Sequence, residues 1–292
     1  MQLLFIIKKI GGENMPKIAI DAGHSSYTSG KQTPSGYKEH WFNVAVSNYI
    51  DLKLKELGFS TFKTGWDDTN AKDDPEVSLG ERQKQIKNAK CDISISIHAN
   101  ASGDGKSYNS AQGVETFIHN DASCVGDSLK LANCVHKHLL NGTSQTNRKV
   151  KSSGLAMCNC KNMGVKSAIL IEYAFMTNKY EETLIKSDAF CRECAEETVK
   201  GICEYFGVKY KENNSTNNND RKYFRVQCGS FAYVENANKL KEQLISLGYP
   251  AIVKKINDTY KVQVGSFGNK ANSEYLRDDI ASKGLPVTIV YY

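Results

Sequence analysis

Residues 209–221 read KYKENNSTNNNDR, and no other stretch constrains the fold as much. Five asparagines with Ser and Thr, and no apolar side chain between Tyr210 and Tyr223, cannot contribute to a packed core. The run reads as an Asn-rich linker, so folding must happen on either side of it, over residues 15–208 and 222–292. A total of 292 residues suits two such units at roughly 100–200 residues per domain. Residues 1–14 precede Met15 and the first strand pattern, and read as a possible N-terminal extension.

Before the linker, short β-branched runs alternate with amphipathic stretches. KIAID (residues 17–21), residues 59–63, DISISI (92–97), GVETFI (113–118) and residues 168–171 read as strands. Residues 40–57 read as a helix stopped by Gly58, and residues 78–89 as one opened by a Ser78/Glu81 capping box. Residues 123–140 and 181–206 read as two more helices. Such alternation predicts an α/β fold with a largely parallel sheet flanked by helices.

After the linker the chain repeats itself. Residues 224–253 align without gaps on 260–289, with FRVQCGSF over YKVQVGSF and ten identities in thirty positions. Each unit reads strand, helix, strand, which predicts a βαββαβ domain of ferredoxin-like topology. Charge follows the same division. The chain is net +6, and residues 222–292 hold ten Lys and Arg against six Asp and Glu, a net of +4. A weak positive field there favours an anionic surface.

Chemistry-bearing residues collect where open α/β sheets hold their ligands, at strand C-terminal ends. His24 follows the first strand in IDAGHS, with Gly23 offering a tight turn. His98 ends ISISIH and Glu172 ends AILIE, while Glu39 precedes the helix that follows His24, within loop reach of the same edge. Two histidines, one carboxylate and an open position make a catalytic zinc site, with the second carboxylate left as general base. A histidine at a strand end is also commonly a hydrogen-bonded loop residue, and His40 is an alternative ligand to Glu39. His119 reads as a solvated loop histidine, with a hydrogen bond to substrate the alternative, whereas His136 and His138 fit a surface helix. Glu115 and Arg82 read as buried ion-pair formers. Arg148, Lys149 and Lys151 form a basic loop that could meet substrate carboxylates.

Nine cysteines, odd in number and irregular in spacing, read as reduced thiols. Cys158-x-Cys160 and Cys191-x-x-Cys194 lack the paired register of a structural zinc site. No apolar run approaches the ~20 residues of a membrane helix. The N-terminus carries no signal-peptide pattern, so synthesis in the cytoplasm is expected.

The run IDAGHS with Glu39 and Asn43, then ERQKQIKNAKCDISISIHANA, GVETFI, RKVKSSGLAMC and LIEYAFMTN, resembles the zinc-dependent N-acetylmuramoyl-L-alanine amidases of autolysins and phage endolysins. The resemblance covers roughly residues 17–208. It implies one zinc ion on His24, Glu39 and His98, Glu172 as catalytic acid/base, and cleavage of the lactyl–L-alanine amide of peptidoglycan. It also implies an open site, since residues 101–112 leave no room for the long inhibitory helix of some members. FRVQCGSF and its repeat resemble the SPOR domain, a peptidoglycan-binding module. That implies contact with glycan strands through Gln227, Ser230, Phe231, Gln263, Ser266 and Phe267, read as exposed, with core packing the alternative for both phenylalanines. RNA binding is the competing reading of a basic ferredoxin-like sheet; without an RNP-like signature, neither nucleic acid nor membrane is the expected partner. A zinc carboxypeptidase acting on stem peptides and a non-catalytic wall-binding protein are the alternative functions. An enzyme made without a signal peptide would reach the wall after holin action or mother-cell lysis, as an endolysin or a sporulation autolysin does.

Overall fold

The computed structural model describes residues 15–67, 70–143, 145–210, 224–247, 249, 251–267 and 270–291. The possible extension (residues 1–14) and most of the predicted linker lie outside the described residues.

The first domain runs β1 (Lys17–Ala22), α1 (Glu39–Glu56), β2 (Ser60–Thr64), α2 (Leu79–Asn88), β3 (Ile93–Asn100), β4 (Val114–His119) and α3 (Ala122–Gly142). It continues through β5 (Asn147–Ser153), α4 (Cys160–Met163), β6 (Ser167–Phe175), α5 (Lys179–Ile185) and α6 (Asp188–Phe206). Six strands form one sheet in the order β2-β1-β3-β6-β4-β5. Every neighbouring pair is parallel except β4 against β6.

Burial on both faces explains the near-continuous apolar strands. Ile18, Ile20, Ile93, Ile95, Ile97, Ile169 and Ile171 pack in one cluster with Phe42 and Ile50 of α1, Leu131 of α3 and Val199 of α6. On the opposite face the small Ala19 and Ala168 let Ile86 of α2 and Met163 of α4 approach the sheet. Each such isoleucine contributes about 1.5–3 kcal/mol relative to exposure.

Four expectations change. The stretch expected as one helix over 181–206 is two, because the Ser187 side chain accepts from Phe190 N–H and starts α6 afresh. The basic stretch at Arg148, Lys149 and Lys151 is edge strand β5, with Lys149 at φ 74° beside a register shift against β4. Not all nine cysteines are thiols: α3 and α4 bring Cys124 and Cys160 to a Cα–Cα distance of 5.6 Å, bridged as a disulfide. His136 is buried rather than on the surface, its ring bonded to Thr116 Oγ1 and Asn147 Oδ1 at 3.0 Å each.

The second domain follows the βαββαβ order: β7 (Phe224–Phe231), α7 (Val234–Ser246), β8 (Ile252–Ile256), β9 (Thr259–Phe267), α8 (Lys270–Ala281) and β10 (Thr288–Tyr291). Its sheet order β10-β7-β9-β8 is antiparallel throughout. Val226, Val262, Val264, Leu240, Leu244, Leu276 and Ile280 make its core. Tyr180 of α5 joins that core and donates its hydroxyl to Val264 O at 3.2 Å.

Candidate active site

The site forms at the C-terminal edge of β1, β3 and β6. His24 leaves β1 in the left-handed region at φ 62°, a strained position for a residue with a Cβ. The turn's left-handed residue is therefore His24 rather than Gly23. Gly23 serves closeness instead: a Cβ there would sit 2.1 Å from His98 Cε1. The Gly23 carbonyl accepts from His40 Nδ1 at 2.8 Å and Asn43 Nδ2 at 3.0 Å, both on α1.

Glu39 is the first residue of α1 and is buried. Its Oε1 accepts from Ala99 N–H at 3.1 Å and lies 3.0 Å from His98 Nδ1. Its Oε2 lies 3.3 Å from His24 Nε2. Donor atoms of His24, Glu39 and His98 all fall within 4.8 Å of one another. The two imidazoles meet edge to face at a centroid distance of 4.9 Å.

Electrostatics suit that grouping. Burial is the largest influence on His24 and, with His98, Lys31 and Arg82 adding to it against Glu39, lowers its pKa to about 4. His24 is thus neutral at pH 7, the state a metal ligand needs. Burial would raise Glu39, but the His98 hydrogen bond and the two histidine charges override it, so its carboxyl lies below the ordinary range.

Glu172 on β6 stands in register with His98 on β3 and with Glu115 on β4. Its Oε2 is buried without a hydrogen-bond partner. Burial, with Glu39 and Glu115 adding and His98 opposing, pushes its pKa up to about 7. A carboxyl poised there can take and return a proton near neutrality.

His40 is not in this group. Its Nε2 pairs with Asp74 Oδ2 at 2.8 Å and its Nδ1 with the Gly23 carbonyl, so both ring nitrogens are occupied. His119 lies at the opposite sheet edge, because β4 runs antiparallel to β6. Glu115 is buried against Arg148, with Lys151 Nζ at 2.9 Å. Both cations remain partly exposed beside Glu172.

The reading of the residues missed several supporting groups. Asp21 and Ser96 are buried polar residues inside apolar strands β1 and β3, which is the sequence signal for them. Glu181 is another: its carboxylate accepts from Phe175 N–H at 2.6 Å, Gly113 N–H at 2.8 Å and Gln145 Nε2 at 2.9 Å, joining β6 to the start of β4. Neighbouring Glu182 accepts from Thr33, Ser35 and Tyr108, tying the loops that carry them to α5.

In the second domain, Gln227 on β7 and Gln263 on β9 face each other in register. Both are buried, which corrects their reading as exposed residues; Gln263 Oε1 has no hydrogen-bond partner. Phe231 is half-buried against the core and Ser230 exposed. The side chains of Ser266 and Phe267 lie outside the described residues.

Comparison with known proteins gives this arrangement a family. Residues 18–204 match the profile of N-acetylmuramoyl-L-alanine amidase, and residues 220–291 that of the SPOR domain. The catalytic domain of CwlV, an N-acetylmuramoyl-L-alanine amidase from Bacillus (Paenibacillus) polymyxa var. colistinus, is 29% identical; the match has a TM-score of 0.57 and covers 67% of this chain and all of that one. The endolysin of Bacillus phage SPP1 is 28% identical, over 67% of this chain and 68% of its own. AmiC, an N-acetylmuramoyl-L-alanine amidase of Neisseria meningitidis serogroup B, is 25% identical over 66% of this chain, which spans about half (53%) of that relative. The profile match extends over more than half of the chain and contains every residue of the His24–Glu39–His98–Glu172 cluster, so the chain belongs to the N-acetylmuramoyl-L-alanine amidase family and carries a SPOR domain behind its catalytic domain.

Proposed function

We propose that this chain hydrolyses the amide joining the lactyl group of N-acetylmuramic acid to the L-alanine of the stem peptide. One juxtaposition carries the reading: three metal-ligand donors within 4.8 Å of one another, beside a carboxylate whose buried Oε2 has no partner. Two imidazoles, a carboxylate and an open position are the donor set that suits catalytic zinc. His24, Glu39 and His98 would hold the ion. When bound there, zinc supplies Lewis acidity, polarising the amide carbonyl and allowing water to ionise near pH 7.

Glu172 accepts the proton of the attacking water, which its raised pKa allows near neutrality. It then delivers that proton to the L-alanine nitrogen as the C–N bond breaks. Glu39, gripped by Ala99 N–H, keeps Oε2 turned toward His24. Arg148 and Lys151 share the single carboxylate of Glu115 and leave net positive charge beside Glu172. That charge suits the carboxylates of a stem peptide. The SPOR domain, with its net positive charge, would hold glycan strands, the polymer that hydrolysis upstream leaves behind.

Mass spectrometry of peptidoglycan digested by the full chain tests the reading. Released stem peptides beginning at L-alanine are expected. Stems shortened at their C-terminal ends would make it a zinc carboxypeptidase, and intact wall a binding protein only; either would overturn the proposal.

A further inference from the structure

Arg82 on α2 is among the largest fully buried side chains, and its bonds lead to both histidines of the cluster. Its Nη2 donates to the His24 carbonyl at 2.6 Å, and its Nη1 to the Ala22 carbonyl at 2.6 Å. Its Nε donates to Val77 O at 2.9 Å, which fixes the guanidinium plane. Nη1 also pairs with Asp21 Oδ1 at 2.8 Å. Asp21 Oδ2 in turn accepts from Ser96 Oγ at 2.5 Å, and Ser96 Oγ lies 3.1 Å from His98 Nε2. One guanidinium therefore reaches both histidines, one through a backbone carbonyl and the other through two side chains.

Proton counting gives the chain a direction. Asp21, ion-paired to Arg82, presents an acceptor. The single hydroxyl proton of Ser96 goes to it, so the Ser96 oxygen is left only to accept. The nitrogen facing that oxygen, His98 Nε2, must then carry a hydrogen. His98 Nδ1, 3.0 Å from the Glu39 carboxylate, also faces an acceptor, and it is the nitrogen that would give up its hydrogen to a metal while Nε2 keeps its own. On the other histidine, Nε2 is the nitrogen that faces Glu39.

We propose that Arg82 is a positioning residue for the whole ligand set, holding His24 in its left-handed turn and fixing the His98 tautomer through Asp21 and Ser96. His98 would then present Nδ1 to the metal and His24 Nε2. The inference rests on the reading of these residues as a metal site, and goes beyond it in assigning which nitrogen binds and what enforces the choice. Partners of this kind set the orientation and basicity of a ligating imidazole, and their loss typically costs ~10–100-fold in metal affinity.

The test is zinc affinity by chelator competition together with ¹⁵N NMR of the histidine rings, both on the full chain. Wild type binding one zinc with the His98 proton on Nε2 is expected. Ser96→Ala should weaken zinc ~10–100-fold. Ser94→Ala, two residues away on the same strand and also buried, removes a hydroxyl that has no hydrogen-bond partner, and should leave affinity within about twofold. A Ser96→Ala affinity matching that of Ser94→Ala would overturn the inference. So would a zinc-loaded wild type with the His98 proton on Nδ1, a result that needs no variant. Failure of the wild type to bind zinc would strike the underlying metal-site reading instead, and with it the inference; the first measurement separates the cases.

Discussion

Replacing Gly23 by alanine isolates the contact between β1 and the His98 ring. The added methyl would lie 2.1 Å from His98 Cε1, 2.4 Å from Nε2 and 2.5 Å from Nδ1. Ordinary van der Waals contact begins near 3.4 Å, so the ring or strand must retreat by roughly 1 Å. Gly23 is not among the positive-φ glycines, so alanine brings no backbone strain and the effect falls on packing. Overpacking of this kind costs about 1–3 kcal/mol, which a domain of this size can survive. Metal geometry cannot absorb it, since ligand distances hold within ~0.2 Å. A shift of roughly 1 Å at the reacting centre is worth about 10²-fold in rate. Gly23→Ala should therefore remain folded in a thermal melt, bind zinc at least ~10-fold more weakly in a chelator competition, and lose about 10²-fold in peptidoglycan hydrolysis. Folded protein that keeps wild-type zinc affinity and turnover would refute the claim that Gly23 exists to seat His98.

Other consequences are independent of that contact. The Cys124–Cys160 bridge closes a loop with a sequence separation of 36, so reduction or Cys160→Ser should remove on the order of 3–4 kcal/mol and lower the Tm by roughly 10 °C; an unchanged melt in reductant would count against the bridge. Burial works to raise the Glu115 carboxyl, but Arg148 and Lys151 outweigh it and hold its pKa below the ordinary range. A depressed carboxylate pKa contributes stability above the unfolded value of ~4.3 and loses it as pH falls through the folded value. Glu115→Gln should thus cost about 1–3 kcal/mol at pH 7, its cation partners being partly exposed, and clearly less at pH 3. Denaturant melts at the two pH values check it. Arg148→Ala should raise KM for wall fragments carrying free stem carboxylates more than it lowers kcat, a split that steady-state kinetics on amidated and non-amidated fragments resolves.

The sequence disclosed the site more fully than its supports. His24, His98 and Glu172 were visible because strand ends are where an α/β sheet gathers its ligands, and the structure draws them to one edge with Glu39. The Ser78 cap was legible for a similarly local reason, its hydroxyl accepting from Glu81 N–H. Long-range pairings were not. Nothing in ERQKQIKN says that Arg82 reaches 60 residues back to Ala22, and Asp21 and Ser96 declare only that they are polar in apolar strands. Edge strand β5 escaped because NRKVKSS alternates weakly and owes its conformation to β4 beside it. Gln227 and Gln263 were placed on the surface by polarity alone, whereas they stand in register on β7 and β9 and both are buried.

The central claim is that three residues hold the metal and a fourth moves the proton, and Glu172→Gln separates those roles in one preparation. Zinc content by elemental analysis and release of L-alanine N-termini from purified peptidoglycan would be measured on the same sample. The account predicts one zinc per chain, as in wild type, with hydrolysis reduced by ~10²–10⁴-fold. Loss of zinc along with activity would place Glu172 among the ligands, and undiminished hydrolysis would remove it from the proton transfer; either result would contradict the account.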